Sequence, residues 1–146
     1  MKEKVAIIDS LGSHGSSHHF YIFGQAKGLS KSGVNVSIYT NNITNNPNYD
    51  GVNFYQFYKN IFGGKPKLFS GFRYILGSFF SLFHAKFNSV KICHYHLFHV
   101  NSLVVFDFIL FLFFKNNLRF IINPNFRKNF HTWKLINKSY FEGLIM

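Results

Sequence analysis

Lys4-Val5-Ala6-Ile7-Ile8-Asp9, running straight into Ser10-Leu11-Gly12-Ser13-His14-Gly15-Ser16-Ser17, is the stretch on which the fold turns. A short apolar run closed by a carboxylate has the length of a buried strand, and the small polar residues after it make a flexible turn. From about Ser17 to Ser32, the residues Phe20, Ile22, Phe23, Ala26 and Leu29 recur at roughly helical spacing. Gly33 stands where a helix C-cap sits, while Gly24 and Gly28 count against helix propensity. Val34 to Thr40 then alternates apolar and polar residues as a strand does, and gives way to the turn-rich Asn41 to Asn48 segment around Pro47. Strand, helix and strand within about forty residues make a βαβ unit.

The remainder repeats the alternation. Val52 to Tyr58 reads as a third strand, closed by the glycine- and lysine-bearing loop Lys59 to Lys67. From Leu68 to Phe87 a broad helical face carries Phe72, Ile75, Leu76, Phe79, Phe80, Leu82, Phe83 and Phe87, with Arg73, His84 and Lys86 among them. Core packing is the use the pattern favours for that face, and an interfacial helix on anionic lipid is the alternative. Ile92-Cys93-His94-Tyr95-His96 is a further strand, Leu103 to Asn116 a buried helix and Leu118 to Asn123 another strand. Alternating strands and helices predict an α/β fold, a mostly parallel sheet with helices on both faces. One domain is expected over residues 1–125, with residues 126–146 a basic, aromatic tail, incomplete or loosely ordered.

Charge narrows the partners. Residues 1–58 carry a net +1 and residues 59–146 a net +10, which together give +11. Such a field favours an anionic partner: a membrane surface, a nucleotide-linked or lipid-linked phosphate, or nucleic acid. The tail aromatics near Arg127 and Lys128 come with no RNA-binding signature, and nucleic acid is set aside on that ground. Cys93 is the sole cysteine, so an intrachain disulfide is impossible, and a reduced intracellular setting with a buried thiol is expected. The apolar residues after Met1 are too few for a signal-peptide core. The run Leu103–Phe114 is too short for a span and is interrupted by Asp107.

Two strand ends present polar chemistry, which is where open α/β sheets bind ligands. The Gly12 to Ser17 turn has the small residues of a phosphate-cradling loop, and an ordinary strand-to-helix turn capped by Ser16 or Ser17 explains it equally. Its Gly-x-x-Gly spacing is neither the dinucleotide fingerprint nor a Walker A loop, and the second strand ends in Thr40-Asn41-Asn42 without the acid that binds a ribose. No nicotinamide cofactor is therefore expected. His94, His96 and His99 form His-x-His-x-x-His, with His94 and His96 on one face of a strand. A catalytic metal site needs a third ligand and carboxylate support, which this chain scarcely offers, and no metal is expected. His96, nearest the strand end, is the candidate acid/base or polar group in a cleft; the plainer option is one packed and one exposed histidine. The five carboxylates show no local pairing of the glycosidase kind, and Gly-x-Ser-x-Gly is absent.

In order, Val5 to Ser17, then Leu29-Ser30-Lys31-Ser32-Gly33-Val34-Asn35-Val36 with Ile38-Tyr39-Thr40, then Ile92 to His96 and Phe120 to Asn125 resemble the N-terminal, acceptor-side Rossmann-like domain of GT-B glycosyltransferases. The likeness is to the retaining nucleotide-sugar enzymes that build polysaccharides and glycolipids, and it covers about residues 4–125. It implies that His96 lines the catalytic cleft. It also implies that Gly12, Ser13, His14, Gly15, Ser16 and Asn123 contact the donor diphosphate or the acceptor. The family's paired glycine before the first helix is here Gly15-Ser16-Ser17, and its His-Asp or His-Asn is here Asn123-Pro124-Asn125.

The family's second domain, with its Glu-x7-Glu motif, lies outside these 146 residues. The expectation is thus half of a hexosyltransferase, inactive alone, with a nucleotide sugar, a glycan or lipid-linked acceptor and a donor-domain chain as partners. Its expected place is the cytoplasm, peripheral on the inner face of the cell membrane. The alternatives are a non-enzymatic basic module docking on an anionic membrane or partner protein through Leu68 to Phe87, and a nucleotide-binding domain of another enzyme.

Overall fold

A computed structural model of the chain describes residues 3–14, 18–96 and 101–123. Its strands are β1 (Lys4–Asp9), β2 (Asn35–Asn41), β3 (Val52–Tyr58), β4 (Ile92–His96) and β5 (Arg119–Asn123). Its α-helices are α1 (His18–Lys31), α2 (Ser70–Phe87) and α3 (Asn101–Phe114), with short 3-10 turns at Gly12–His14 and Lys67–Phe69. The strands form one sheet in the order β3-β2-β1-β4-β5, parallel at every pairing. This is the Rossmann-like α/β arrangement that the alternating pattern calls for. The proposed tail, residues 126–146, lies outside the described residues.

Strand alternation divides the core into two layers. Ala6, Ile8, Tyr39, Tyr58, Cys93 and Tyr95 pack on the side of α2 and α3, whereas Val5, Ile7, Val36 and Ile38 meet Ile22 and Ala26 of α1. α1 ends as expected at Gly33, whose φ of 86° lets the Val34 N–H reach the Leu29 carbonyl (3.1 Å) and its own N–H reach Ser30 (2.9 Å). Between β2 and β3, residues 42–51 cross the α1 face without a helix. Tyr49 lies edge-on to Phe23, Lys27 sits 5.2 Å from the Tyr49 ring, and the Ser30 hydroxyl donates to the Asp50 carbonyl.

The α2 face departs from the expected core packing. The side of α2 turned to the sheet is built from Tyr74, Gly77, Ser78, Ser81, Leu82 and Ala85, while Phe72, Phe80, Phe83 and Phe87 are exposed. The bulk comes from the strands instead: a Cβ on Gly77 would overlap the Tyr58 ring, so only a small helix residue fits above it. α3, expected to be buried, is buried on one side only. Asp107, Leu110, Phe111 and Phe114 face inward, and Val105, Ile109 and Phe113 face out. No helix among the described residues is long and apolar enough to cross a membrane.

Where the tyrosine rings end, a polar cluster closes the α2–α3–sheet interior. The Tyr74 hydroxyl donates to Asp107 Oδ2 (2.6 Å) and the Tyr95 hydroxyl to Oδ1 (2.8 Å). Ser78 Oγ lies 2.9 Å from the Tyr95 hydroxyl and 3.1 Å from that of Tyr58. Burial pushes the Asp107 carboxyl up to about 6, against the two tyrosine hydrogen bonds that favour its charged form. Burial also pushes the hydroxyls of Tyr58, Tyr74 and Tyr95 above their ordinary range, so they stay protonated donors. Cys93 is wholly buried, and burial holds its thiol protonated.

Gly77→Ala lowers the melting temperature by displacing Tyr58, whereas Gly24→Ala, on an open surface of α1, stabilises by about 0.5–1 kcal/mol. For Asp107 the folded form holds its proton to higher pH than the unfolded form, so its contribution is full below about pH 4. It is lost as pH rises through about 6. Chemical denaturation of wild type and Asp107→Asn across that window measures the loss, expected to be on the order of 2–3 kcal/mol relative to the variant.

Candidate functional site at the β1–β4 switch

From β1 the chain winds outward to β2 and β3 and then returns to add β4 and β5 on the other side, so the order reverses between β1 and β4. In an open α/β sheet the carboxyl ends of the strands flanking such a point leave a crevice between diverging connections. Here those ends pair in register: Asp9 with His96 across β1 and β4, Asp9 with Thr40 towards β2, and His96 with Asn123 towards β5. Paired residues on neighbouring strands lie about 4.8 Å apart and point to the same side. Asp9 and His96 therefore share a face with Ile7 and His94, and Ile7 belongs to the layer covered by α1.

The two histidines do stand together, with ring centroids 4.5 Å apart and planes at 38°. His94 is buried, and the Gln25 side-chain amide of α1 donates to its Nδ1 (2.8 Å). That bond leaves the ring proton on Nε2, and burial lowers the pKa of His94, so its imidazole is neutral at neutral pH. His96, one pleat further along, is only partly buried and stands at the rim. Its Nε2 is shielded from solvent, and Asp9, its partner across the strands, is buried as well.

The glycine turn rises from the same rim but leans towards β2, away from β4. Gly12 has a φ of 47°, and a Cβ there would overlap the hydroxyls of Thr40 and Thr44 and the Asn41 amide. Asn41 Nδ2 donates to the carbonyls of Ser10 (3.0 Å) and Leu11, and Asn41 Oδ1 accepts from Thr44 Oγ1 (2.7 Å) and the Ile43 N–H (3.2 Å). The Ser13 N–H donates to Thr44 Oγ1 (2.9 Å), the Ser13 hydroxyl to the Ile43 carbonyl (3.0 Å), and the His14 N–H to the Leu11 carbonyl (3.0 Å). His14 stacks on Phe62 at 3.8 Å.

The backbone donors of Ser13 and His14 are thus committed to the turn itself and to the β2–β3 loop. Gly15 and Ser16 lie outside the described residues. Of the expected site residues, His96 and the backbone of Asn123 come together at the rim, whereas Gly12, Ser13 and His14 brace the neighbouring loop.

Sequence reasoning passed over Asp9 and Gln25. Asp9 carried a signal, a carboxylate ending an apolar strand; Gln25 carried only its place one residue before Ala26 on the inward face of α1. Among the described residues no group of three or more His, Cys, Asp or Glu side chains is arranged to hold a metal, and His99 lies outside them. Compared with known proteins, the chain matches no protein-family profile and no curated sequence.

The bracing role of the turn is open to measurement. Gly12→Ala forces a side chain into a left-handed, filled position and lowers stability by about 2 kcal/mol or more in denaturant titration. Ser13→Ala, which removes one exposed side-chain hydrogen bond, costs about 0.5–1 kcal/mol.

Proposed function

We propose that this domain is the acceptor-side half of a glycosyltransferase that moves a hexose from a nucleotide diphosphate sugar to a glycan or lipid-linked acceptor. In that reaction the bond from the sugar's anomeric carbon to the diphosphate breaks, a bond to the acceptor oxygen forms, and the acceptor's proton passes to a base. The single observation that carries the reading is the pairing of Asp9 and His96 on one face at the carboxyl rim of β1 and β4, a position suited to an acceptor hydroxyl. The strand order, and the sequence likeness over residues 4–125, add to it. The donor nucleotide sugar would be held by a second domain, supplied in the same or another chain, with cationic and N–H groups stabilising the leaving diphosphate.

A second reading, a non-enzymatic basic module docking on an anionic membrane or a partner protein, is favoured by the exposed phenylalanines of α2. Either reading suits a peripheral position on the inner face of the cell membrane.

The experiment is to incubate the purified chain with labelled nucleotide diphosphate hexoses and lipid-linked acceptors, and to titrate the acceptors by calorimetry. The expected result is acceptor binding without turnover, weakened about tenfold by His96→Ala, in keeping with the loss of one buried polar contact. Robust turnover by the chain alone overturns the half-enzyme reading. Saturable nucleotide binding without acceptor binding makes it instead the nucleotide-binding domain of a different enzyme.

A further inference from the structure

We propose that the outer faces of α2 and α3 together form a docking surface for a bilayer bearing anionic lipids. This deepens the docking reading above and is independent of sugar transfer. The two helices lie side by side on one face of the sheet, with Phe79 of α2 meeting Phe114 of α3 at 6.4 Å. Outward from that contact, Phe80 (51% exposed), Phe83 (44%) and Phe87 (72%) on α2 continue into Ile109 (57%) and Phe113 (72%) on α3. Rings and branched chains on adjoining outer faces make a patch of the kind that monomeric soluble proteins seldom leave in water.

The charge around the patch selects the occupant. Residues 51–123 contain eight Lys and Arg residues and one carboxylate, Asp107, which is buried in the tyrosine cluster. Lys65, Lys67 and Arg73 stand at the start of α2, Lys86 in its last turn and Lys115 directly after α3, so both ends of the apolar surface are basic. A phenylalanine-rich face with cations at its margins fits the headgroup boundary of an anionic leaflet, where rings enter the acyl edge and the cations meet phosphate. A second copy would bring like charge against like charge. Residues 124–146 hold four basic residues against one carboxylate and bring no compensation either.

Such docking lays the α2–α3 layer against lipid with the sheet above it. The Asp9–His96 pair lies on the opposite side of the sheet, towards α1, away from the proposed docking face.

Sedimentation of the full chain with mixed phosphatidylglycerol and phosphatidylcholine vesicles, and with pure phosphatidylcholine vesicles, tests the proposal without any nucleotide sugar. Its outcome is therefore separate from that of the transferase assay. The chain is expected to bind the mixed vesicles, to bind the neutral ones at least about tenfold more weakly, and to release as ionic strength rises. The double substitution Phe83→Ser with Phe87→Ser, and separately Phe113→Ser, each weaken binding about tenfold or more. Tyr21→Ser, an exposed ring on α1, leaves it unchanged. All four positions are substantially exposed, and unchanged thermal melts establish that each variant is folded. Equal binding to both vesicle types, no binding, or wild-type binding by the folded phenylalanine variants overturns the proposal. A dimer in sedimentation velocity that those variants abolish, without vesicle binding, assigns the face to a second copy and overturns it as well.

Discussion

The fit of tyrosine rings from the strands against the small-residue side of α2 governs the rest of this molecule. Tyr58 and Tyr95 rise from the sheet, and above them α2 offers Gly77, Ser78, Ser81 and Ala85. Because the strands supply the volume, the helix cannot also bring its phenylalanines inward without overfilling the layer. They are left on the outside, and the polar tips of the tyrosines must find partners within. Ser78 and Asp107 provide these, which fixes α3 to α2 and both to β4 through one connected set of hydrogen bonds.

That arrangement explains which parts of the structure were legible in the residues and which were not. β1 and β4 were readable because an apolar run of strand length, ending in polar groups, has few other uses. The cap at Gly33 followed from glycine's tolerance of positive φ. The buried side of α2 was not readable. Periodicity locates a broad apolar stripe but does not say whether the neighbouring layer has room for it, and Ser78 and Ser81 look like surface residues until Tyr58 and Tyr95 are placed beside them. The same limit applies to the turn after β1. Its small residues announce a close approach, but the groups approached, Asn41 and Thr44, lie about thirty positions away and become neighbours only when β2 pairs with β1.

At the rim, the two halves of the sheet do different work. On the β2 side, Thr44 accepts from the Ser13 N–H, Asn41 donates to the Ser10 and Leu11 carbonyls, and the His14 N–H turns back to the Leu11 carbonyl, so the turn is braced against β2 and its following loop. On the β4 side, His94 is tied down by Gln25, and His96 stands beside it at the strand's end, opposite Asp9. A braced turn and a pair of adjoining histidines thus stand on the two sides of the β1 strand end, and neither depends on the exposed side of α2 and α3.

The lone cysteine gives this architecture a built-in clock. Cys93 sits in the middle of β4, between β1 and β5 and beneath the helical layer, with no accessible surface. A thiol reagent reaches its sulfur only in molecules whose layers have parted, so the rate of alkylation at this one atom counts breathing events of the interior directly. Any ligand or surface that steadies the fold will slow that clock, whatever its chemistry.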